Sequence, residues 1–582
     1  MKASLLSAIL LFSLALAKEG GVCFSNGLQG TCQKVANCNW GFTVTGACPN
    51  DPADVKCCLS KDCKNPDTGT GGTCLDSDRI TCGNGGGYIK GQCPGSATVQ
   101  CCVNEFLVDG TAIPDVDFDI GESYAGLLPV SSNPGENRKL YFWFFPSENP
   151  LAGDEITIWL NGGPGCSSLE GLLQENGPFL WQYGTFRPVK NPFSWVKLTN
   201  MVWVEQPVGT GFSQGTPDAK SEDDVASQFL GFFKNFVDTF SLHGRKVYIT
   251  GESYAGYYIP YIANAMLSSH DTNHYRVSGI LMYDPVIGSD ALQTQIPSAA
   301  FANYWNPLLD LDPPFLANIR SRAASCGYTS YMDKYLAFPP PGPFPAPPSL
   351  TAGCRIWEDI AAAAQIKNPC FNRYHIVTTC PLLWDVLGFP GSDEYLPDGA
   401  EIYFNRQDVQ KAIKAPQTTW KECVDGVFVG NGDTSMPSAS TVLPSVIERL
   451  GRTIIGQGLL DYVVMANGTL LAIQSMKWNG KQGFSARPSE PLIVPELPGL
   501  ELGERAGFGI MGEWRTERNL TYSSVHLAGH MVPQYAPSAS YRHVEYLLGR
   551  ISDLSDTRPF TTAGKSFNSE VMAVLAPEYY IN

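Results

Sequence analysis

The placement of its cysteines constrains this chain more than any other feature of the sequence. Twelve of the 18 cysteines lie between Cys23 and Cys102, and only six are spread over residues 103–582. The twelve form two successive copies of one pattern, and each copy ends in an adjacent cysteine pair. Domains this short bury too little apolar surface to fold without cross-links, which disulfides supply in secreted proteins. We therefore expect two disulfide-rich modules, at residues 18–60 and 61–104, whose connectivity the sequence leaves open.

The function of these modules is open to more than one interpretation. Clustered cysteines can also bind zinc, but this is disfavoured because the first histidine of the chain is His243. The modules resemble small cysteine-rich modules of fungal secreted proteins. One hypothesis is that they bind cell-wall polysaccharide, with Trp40, Phe42 and Tyr88 as stacking surfaces. A structural spacer or a folding aid explains the same pattern equally well.

The N-terminal segment has the features of a secretory signal peptide. Lys2 precedes an apolar run at residues 5–16, and residues 1–17 end in a small-x-small cleavage pattern. The run is too short to cross a bilayer, so we expect a secreted, extracellular protein, free or associated with the cell wall, without a membrane span. In that compartment Asn467 and Asn519, each two residues before a threonine, are candidate glycosylation sites.

The charge of the chain narrows the classes of partner. With 56 acidic and 40 basic side chains, the formal net charge is −16 at pH 7. Such a surface repels phosphate backbones, which excludes nucleic acid as an expected partner. The sequence also has no glycine-rich phosphate loop and no metal-ligand spacing, so we expect no cofactor and no metal.

Beyond Cys102 the sequence changes to alternating strand and helix patterns. Phenylalanines at helical spacing between Val225 and Phe240 predict a helix whose apolar face belongs to the core. Alternating elements favour an α/β domain with a largely parallel sheet at residues 105–582, with an insertion at about 300–400. The predicted strands are Lys139–Phe145, Glu155–Leu160, Met201–Glu205, Lys246–Thr250, Ile280–Tyr283 and Thr453–Ile455.

One segment has the layout of a nucleophile elbow. The apolar strand that begins at Lys246 runs into Gly251-Glu-Ser-Tyr-Ala-Gly256, and a helix pattern follows at residues 257–267. A sharp turn between strand and helix would expose the Ser253 hydroxyl above the sheet. The same six residues occur at 121–126, where aspartates precede them and prolines follow, so Ser123 is expected in a hairpin instead.

A serine nucleophile needs a base and a carboxylate that orients the base. Hydrolases with this elbow use the chain order Ser, Asp, His. His530 lies in the small-residue turn Ala528-Gly-His-Met-Val-Pro533, which could present an imidazole at a loop tip. Asp461 follows a predicted strand and a glycine-containing turn, whereas Asp433 lies in another turn that it could simply cap.

Four motifs in this order resemble those of the serine carboxypeptidases, a group with the α/β-hydrolase fold, over about residues 120 to 552. They are Trp159-Leu-Asn-Gly-Gly-Pro-Gly-Cys-Ser-Ser168, Gly251–Gly256, Tyr403-Phe-Asn-Arg-Gln-Asp-Val-Gln-Lys411 and Gly529-His-Met-Val-Pro533. The resemblance implies an α/β-hydrolase fold with a mostly parallel central sheet and an inserted cap region, preceded by the two modules.

The resemblance also implies a role for each matching residue. Ser253 would be the nucleophile, His530 the general base and Asp461 its partner, although the segment around Asp461 departs most from the family pattern. The backbone N–H groups of Gly163 and Tyr254 would be the oxyanion donors. Asn161, the Gly162 N–H and Glu252 would bind the substrate carboxylate. Trp159 and Glu175 would support these carboxylate-binding groups.

The six remaining cysteines suggest three disulfides. The resemblance implies Cys166–Cys423, and we expect the nested pairs Cys354–Cys370 and Cys326–Cys380 in the insertion. The same insertion contains a proline-rich segment, residues 338–348, which could cover the active site or form an exposed linker.

Together these features predict a secreted serine carboxypeptidase. It would release C-terminal amino acids from peptides and proteins through an acyl-enzyme, with acidic pH favoured, because Glu252 must be neutral beside a substrate carboxylate. One alternative is a secreted esterase or acyltransferase on the same fold, which would have no need for Asn161 and Glu252. Another is an inactive hydrolase that serves as a cell-wall-binding protein.

Overall fold

A computed structural model describes residues 19–25, 28–49, 51–67, 69–83, 85–388, 396, 399–497 and 508–564 of the 582-residue chain. The predicted signal peptide lies outside these residues. The described residues up to Leu107, with Thr239–Ser241, form one compact unit. Val108–Asp238 and the described residues from Leu242 onward form a second. None of the described helices combines the length and the apolar character that a membrane crossing requires.

The first unit contains two small antiparallel sheets with the same layout. The strand order is β1-β2-β4-β3 in the first sheet and β5-β6-β8-β7 in the second. A short 3-10 helix, Val35–Asn37, follows β2. The strands are β1 Val22–Ser25, β2 Leu28–Lys34, β3 Phe42–Val44, β4 Val55–Leu59, β5 Asp62–Lys64, β6 Gly71–Asp76, β7 Gly87–Ile89 and β8 Val99–Val103.

Each copy has three internal disulfides, and the two copies pair their cysteines in the same way, so the repeat seen in the sequence is also a structural repeat. In each copy the first cysteine pairs with the fifth, the second with the fourth and the third with the sixth. The pairs are Cys23–Cys57, Cys32–Cys48, Cys38–Cys58, Cys63–Cys101, Cys74–Cys93 and Cys82–Cys102. The expectation for Phe42 was wrong, because its ring is only 3% exposed and packs into the core of this unit, whereas Trp40 is 46% exposed.

The second unit is built on a sheet in which six central strands run parallel. The full order is β21-β22-β23-β18-β17-β16-β12-β15-β11-β10-β9, and the pairs β21-β22, β22-β23, β15-β11 and β11-β10 are antiparallel. Every strand predicted from the sequence is present. The strands of this unit are β9 Leu107–Val108, β10 Ser123–Pro129, β11 Lys139–Phe145, β12 Glu155–Leu160, β13 Phe179–Leu180, β14 Val189–Lys190, β15 Met201–Glu205, β16 Lys246–Glu252, β17 Arg276–Tyr283, β18 Thr453–Gly458, β19 Lys477–Trp478, β20 Lys481–Gln482, β21 Glu490–Val494, β22 Gly509–Glu517 and β23 Leu520–Val525.

The helices connect these strands and cover the sheet. The first turn of α2 contains acidic residues, whose negative charge is favourable near the positive end of the helix dipole. The phenylalanines of α2 pack on β11, and the ring centroids of Phe144 and Phe236 are 5.2 Å apart. The helices are α1 Ser168–Glu170, α2 Glu222–Phe240, α3 Ala255–Ser269, α4 Ile296–Tyr304, α5 Asn306–Leu309, α6 Pro313–Ser325, α7 Tyr328–Tyr335, α8 Ile356–Lys367, α9 Gln407–Ala412, α10 Val442–Arg449, α11 Ala466–Ser475, α12 Val532–Tyr535 and α13 Pro537–Leu547. Short π-helical turns, Gly171–Asn176 and Ala291–Gln295, follow α1 and precede α4.

The insertion forms helices α4 to α8, and its disulfides correct the expected pairing. The pairs Cys354–Cys370 and Cys326–Cys380 are wrong, because the structure joins Cys326 to Cys354 and Cys370 to Cys380. Cys326 caps α6 beside the turn that precedes α8, where the Arg322 side chain donates a hydrogen bond to the Gly353 carbonyl over 3.0 Å. Each of these two disulfides thus joins consecutive cysteines of the chain.

The proline-rich segment of the insertion does not line the active-site cavity described below. It packs on α7 instead, where the Tyr331 hydroxyl donates a hydrogen bond to the Pro345 carbonyl over 3.0 Å. The Phe344 and Tyr335 ring centroids are 4.7 Å apart. The segment is thus packed on α7 and is not a free linker, and its absence from the cavity lining gives no support to a cover over the active site.

The two candidate glycosylation sites have different surroundings. Asn519 is exposed in the turn between β22 and β23. Asn467 is half-buried in the first turn of α11, and Thr469 of the same sequon is buried near the Gln293 side chain. Asn519 is therefore the more exposed of the two asparagines.

Candidate active site

Ser253 lies on a sharp turn between β16 and α3. Its φ angle of 59° lies in the left-handed region, which a serine adopts only when the surrounding structure requires it. The turn is tight because Gly251 has no side chain, since a Cβ there would be 2.0 Å from the Leu160 carbonyl oxygen. Gly256 is restricted in the same way, with the Val286 carbonyl oxygen 2.4 Å from a Cβ position. The nucleophile elbow expected from the sequence is therefore present.

The duplicate hexapeptide at residues 121–126 has no such turn. Ser123 begins β10, is fully buried, and accepts a hydrogen bond from the Trp143 indole over 3.1 Å. Strand β10 pairs with β11 as an antiparallel hairpin, in agreement with the sequence analysis.

His530 and Asp461 meet at the same edge of the sheet. His530 lies in the loop after β23 and Asp461 in the loop after β18, and the His530 Nδ1 and Asp461 Oδ2 atoms are 2.7 Å apart. Asp461 also accepts hydrogen bonds from the backbone N–H groups of Val463 and Val464. These contacts hold the Asp461 carboxylate in place beside Nδ1 of the imidazole.

The other imidazole nitrogen, Nε2 of His530, is buried and has no hydrogen-bond partner among the described residues. His530 and Ser253 line one cavity of about 650 Å³. A buried nitrogen without a partner is costly unless it receives a donor during function. Nε2 is thus available to accept a proton from a group in this cavity.

The rival carboxylate, Asp433, has a different partner. Its Oδ2 accepts a hydrogen bond from the Tyr254 hydroxyl over 2.5 Å, and its Oδ1 accepts one from the Ser435 N–H. Asp433 thus shapes the turn around Tyr254, while Asp461 is the carboxylate on His530.

The loop after β12 brings two glycines against the elbow. A Cβ on Gly162 would be 2.5 Å from the Tyr254 nitrogen and 2.7 Å from the Ser253 Cβ, so only glycine fits. Gly163 follows with a φ angle of 111° and lines the cavity with Gly162. The Gly162 backbone therefore lies directly against Ser253 and the Tyr254 nitrogen.

Asn161 and Glu252 form a buried pair next to Ser253. The Asn161 Nδ2 donates to Glu252 Oε1 over 2.9 Å, and the Trp159 indole fixes the amide by donating to Asn161 Oδ1 over 2.7 Å. Asn161 and Glu252 both line the cavity. The second oxygen of Glu252, Oε2, is buried without a hydrogen-bond partner among the described residues.

Two further carboxyls accompany Glu252. One carboxylate oxygen each of Glu170, Glu175 and Glu252 lies within 4.8 Å of the others. Burial raises the pKa of Glu252 well above its usual range, and the charge of Glu170 raises it further. Burial also raises the pKa of Glu175, with the charges of Glu252 and Glu170 adding to the effect. Three buried carboxyls this close cannot all ionise, so the cluster retains protons.

Glu170 belongs to this cluster although the sequence analysis did not single it out. Its Oε2 accepts a hydrogen bond from Asn161 Nδ2 over 2.6 Å, its side chain lines the cavity, and Oε1 is buried without a hydrogen-bond partner among the described residues. The available signal was its position at the end of α1, only two residues beyond the Trp159–Ser168 motif.

Asp284 is a second residue that the sequence analysis missed. It directly follows β17 with a φ angle of 41°, is fully buried, and accepts a hydrogen bond from the Gly458 N–H over 2.9 Å. Oxygens of Asp284 and Asp461 lie within 4.8 Å of each other. Burial and the neighbouring Asp461 charge raise the pKa of Asp284 well above its usual range. An aspartate at the carboxyl end of a central parallel strand was the signal that could have identified it.

One remaining sequence-based expectation for this region concerns Cys166, next to the glycine-rich loop. The structure has the Cys166–Cys423 disulfide that the family resemblance implied. Both cysteines line the cavity, so the bond ties the loop after β12 to the segment around residue 423.

Comparison with known proteins places this geometry in a family. The family model for serine carboxypeptidases matches residues 114–550. A probable serine carboxypeptidase of Arthroderma benhamiae is 58% identical over 78% of this chain and 87% of its own length. The serine-type carboxypeptidase F of Aspergillus niger is 48% identical over 75% of this chain and 86% of its own length.

A solved structure has the same fold. The crystal structure of Kex1(delta)p, a prohormone-processing carboxypeptidase from Saccharomyces cerevisiae, matches with a TM-score of 0.62 at 24% sequence identity. The match covers 78% of this chain and 98% of that chain. The α/β-hydrolase fold expected from the sequence is thereby confirmed. With more than half of its length matched by the family model and close relatives in two fungi, the chain belongs to the serine carboxypeptidase family.

Proposed function

We propose that this carboxypeptidase removes the last residue of a peptide through an acyl-enzyme on Ser253. The observation that carries this proposal is the buried Asn161–Glu252 pair, which lines the same cavity as Ser253 and His530. A pair of neutral donors beside the nucleophile suits a substrate whose C-terminal carboxylate belongs to the residue directly after the attacked peptide bond.

In the first half of the reaction, the Ser253 Oγ attacks the carbonyl carbon of the last peptide bond and its proton moves to His530 Nε2. Asp461 stabilises the imidazolium that forms. The backbone N–H groups of Gly163 and Tyr254 donate to the oxygen that becomes negative. The C–N bond then breaks, His530 gives the proton to the leaving amine, and the shortened peptide remains as an ester on Ser253.

In the second half, water takes the place of the amine. His530 accepts a proton from the water as it attacks the ester carbonyl, and returns that proton to Ser253 Oγ when the C–O bond breaks. Asn161, the Gly162 N–H and Glu252 bind the C-terminal carboxylate of the substrate. Trp159 holds Asn161 in place, and Glu175 holds Glu252. The retained protons of the carboxyl cluster make a neutral Glu252 available as a donor.

The carboxylate-binding role predicts a pH profile. Because an ionised Glu252 would repel the substrate carboxylate, kcat/KM for a peptide with a free C-terminus should fall about tenfold per pH unit above the Glu252 pKa. Hydrolysis of an ester with a blocked C-terminus should fall much less. Glu252→Gln is neutral at every pH, so it should flatten the alkaline decline for the peptide while lowering the maximum rate.

The profile is measured from about pH 4 to about pH 9 with both substrates. The chain supplies its own control, since Glu122 occupies the same position in the duplicate hexapeptide outside the cavity. Glu122→Gln should leave both profiles unchanged. If the peptide and the ester decline together in the wild-type enzyme, Glu252 does not bind the carboxylate. The same experiment distinguishes the esterase alternative, for which a free C-terminus brings no advantage.

We also propose that the enzyme is secreted and works best in acid. Residues 1–17 would be the signal peptide, residues 18–60 and 61–104 the cysteine-rich modules, and residues 105–582 the carboxypeptidase domain. Nine disulfides among the described residues suit an oxidising compartment. Protons retained by buried carboxyls suit acidic surroundings, and Asn519, exposed on its turn, is the favoured site for a glycan.

The modules carry a separate proposal, namely that they bind insoluble cell-wall polysaccharide. With Phe42 in the core, the exposed aromatic rings of this unit include Trp40, 46% exposed, and Phe24, 65% exposed. Stacking of sugars on exposed aromatic rings requires such surfaces. The full chain should be retained on chitin or β-glucan, and Trp40→Ala should release it.

Phe186→Ala is the matched control, because Phe186 is 90% exposed but lies in the second unit. This variant should be retained like the wild type. If the wild-type chain passes through both matrices, the modules are a spacer or a folding aid.

A further inference from the structure

A cluster of four titratable side chains lies in the second unit away from the active-site cavity. Asp238 is in the last turn of α2, His243 follows in the loop toward β16, and Asp271 and His274 lie between α3 and β17. The Nε2 atoms of His243 and His274 both point at Asp238 Oδ1, over 2.8 Å and 3.0 Å. No step of the proposed reaction uses these residues.

The donor set and its spacing fit a small transition-metal ion. Three ligand atoms, one from each of Asp238, His243 and His274, lie within 4.8 Å of one another. Two ligands of a tetrahedral zinc ion with bonds of about 2.0 to 2.1 Å lie about 3.3 Å apart. Moving the imidazoles back by a few tenths of an ångström from Asp238 Oδ1 would reach that spacing. Two imidazoles and one carboxylate are ligands that Zn²⁺ prefers, and they leave one position for water.

A second, independent contact concerns the far side of the His274 ring. Its Nδ1 is 2.7 Å from Asp271 Oδ2, and the Asp271 side chain is itself positioned by the backbone N–H groups of Asn273 and His274. Histidines that bind metals commonly donate their other ring N–H to a carboxylate, which fixes the ring and makes the free nitrogen a better ligand. The His274 side chain is only 11% exposed, so the ring is held in place.

The two carboxylate oxygens of Asp238 have different partners. Lys234 donates to Asp238 Oδ2 over 2.6 Å and leaves Oδ1 to the two imidazoles. The Asp238 side chain is 42% exposed and that of His243 is 39% exposed, so an ion can reach the site from solvent. Without an ion, the cluster is a set of hydrogen bonds between two histidines and two aspartates.

From this geometry we propose that Asp238, His243 and His274 bind one Zn²⁺ ion, with water as the fourth ligand and Asp271 as the orienting partner of His274. The ion would join the end of α2 to the segment between α3 and β17. It would have no direct part in peptide hydrolysis.

The test is a zinc titration of the full-length protein after a chelator has removed bound metal. Isothermal calorimetry at neutral pH measures the binding. We expect one ion per chain, and a midpoint of thermal unfolding that rises with zinc concentration. His243→Ala and His274→Ala should each weaken binding at least tenfold. His270→Asn is the matched control, because His270 is an exposed histidine of the same connection and asparagine tolerates its φ angle of 56°.

Three results would overturn the site. The first is no zinc binding by the wild-type protein, and the second is binding by both alanine variants that is as tight as that of the wild type. The third is zinc binding that inhibits peptide hydrolysis in parallel with occupancy, which would place the ion in the active-site cavity. The absorption spectrum of Co²⁺ in place of zinc adds a readout independent of stability, since a tetrahedral ion gives intense visible bands that the two alanine variants should lose.

Discussion

Ser253→Ala is expected to lower kcat for a blocked dipeptide with a free C-terminus by a factor of roughly 10⁶. Without the hydroxyl no acyl-enzyme can form, and His530 has no proton to accept from the nucleophile. KM should change little, because Asn161 and Glu252 still bind the substrate carboxylate. Steady-state kinetics give both quantities.

The duplicate hexapeptide offers a stringent control for this variant. Ser123→Ala removes the same atom from the same local sequence, but from a buried residue in an antiparallel hairpin. It should retain full activity. An organophosphonate probe, which labels an activated serine, should label the wild type and Ser123→Ala but not Ser253→Ala. Labelling that persists in Ser253→Ala would show that another serine is the nucleophile, and a wild type that is never labelled would favour an inactive hydrolase.

Asp461→Asn should lower kcat by a factor of about 10⁴ at an unchanged fold. An amide in this position no longer stabilises the imidazolium, and its NH₂ group favours the tautomer that places the ring proton on Nε2, the nitrogen that must accept the serine proton. The measurement is kcat at the optimum pH of the wild-type enzyme, with near-ultraviolet circular dichroism as a check on folding.

Asp433→Asn is the comparison that separates the two candidate carboxylates. Asp433 contacts the Tyr254 hydroxyl and not His530, so its amide variant should stay within about tenfold of the wild type. A larger loss in Asp433→Asn than in Asp461→Asn would reverse the assignment of the acid.

The elbow and the strands could be predicted because they depend on local sequence. A strand, a glycine-flanked turn and a helix follow one another within about twenty residues around Ser253, and each part has its own pattern. The family motifs then extended the prediction to residues far apart in the chain. The fold and the family are confirmed by the comparisons with known proteins, while the roles of the individual residues stay predictions.

What sequence reasoning missed depends on packing between distant segments. Glu170 and Asp284 matter because other buried carboxyls have an oxygen within 4.8 Å of theirs. Of these carboxyls, Glu175 is close to Glu170 in sequence, whereas Glu252 and Asp461 are distant in sequence from the residues that they approach. Phe42 has an aromatic ring on which a sugar could stack, and only its burial reveals that it is a core residue. The nested cysteine pairs failed for a related reason, since the fold of α6 and its neighbouring turn decides which cysteines meet.

The Cys326–Cys354 bond has a consequence for chain integrity. The proline-rich segment lies wholly between these two cysteines, and Tyr331 and Phe344 dock it onto the insertion. A protease that cleaved the backbone once in this segment would therefore produce two polypeptides that remain one covalent molecule. Ser253 and His530 would stay on opposite sides of the cut, joined across it by the disulfide. The Cys166–Cys423 bond spans the same cut, so a two-chain form can arise in this segment without separating the residues of the active site.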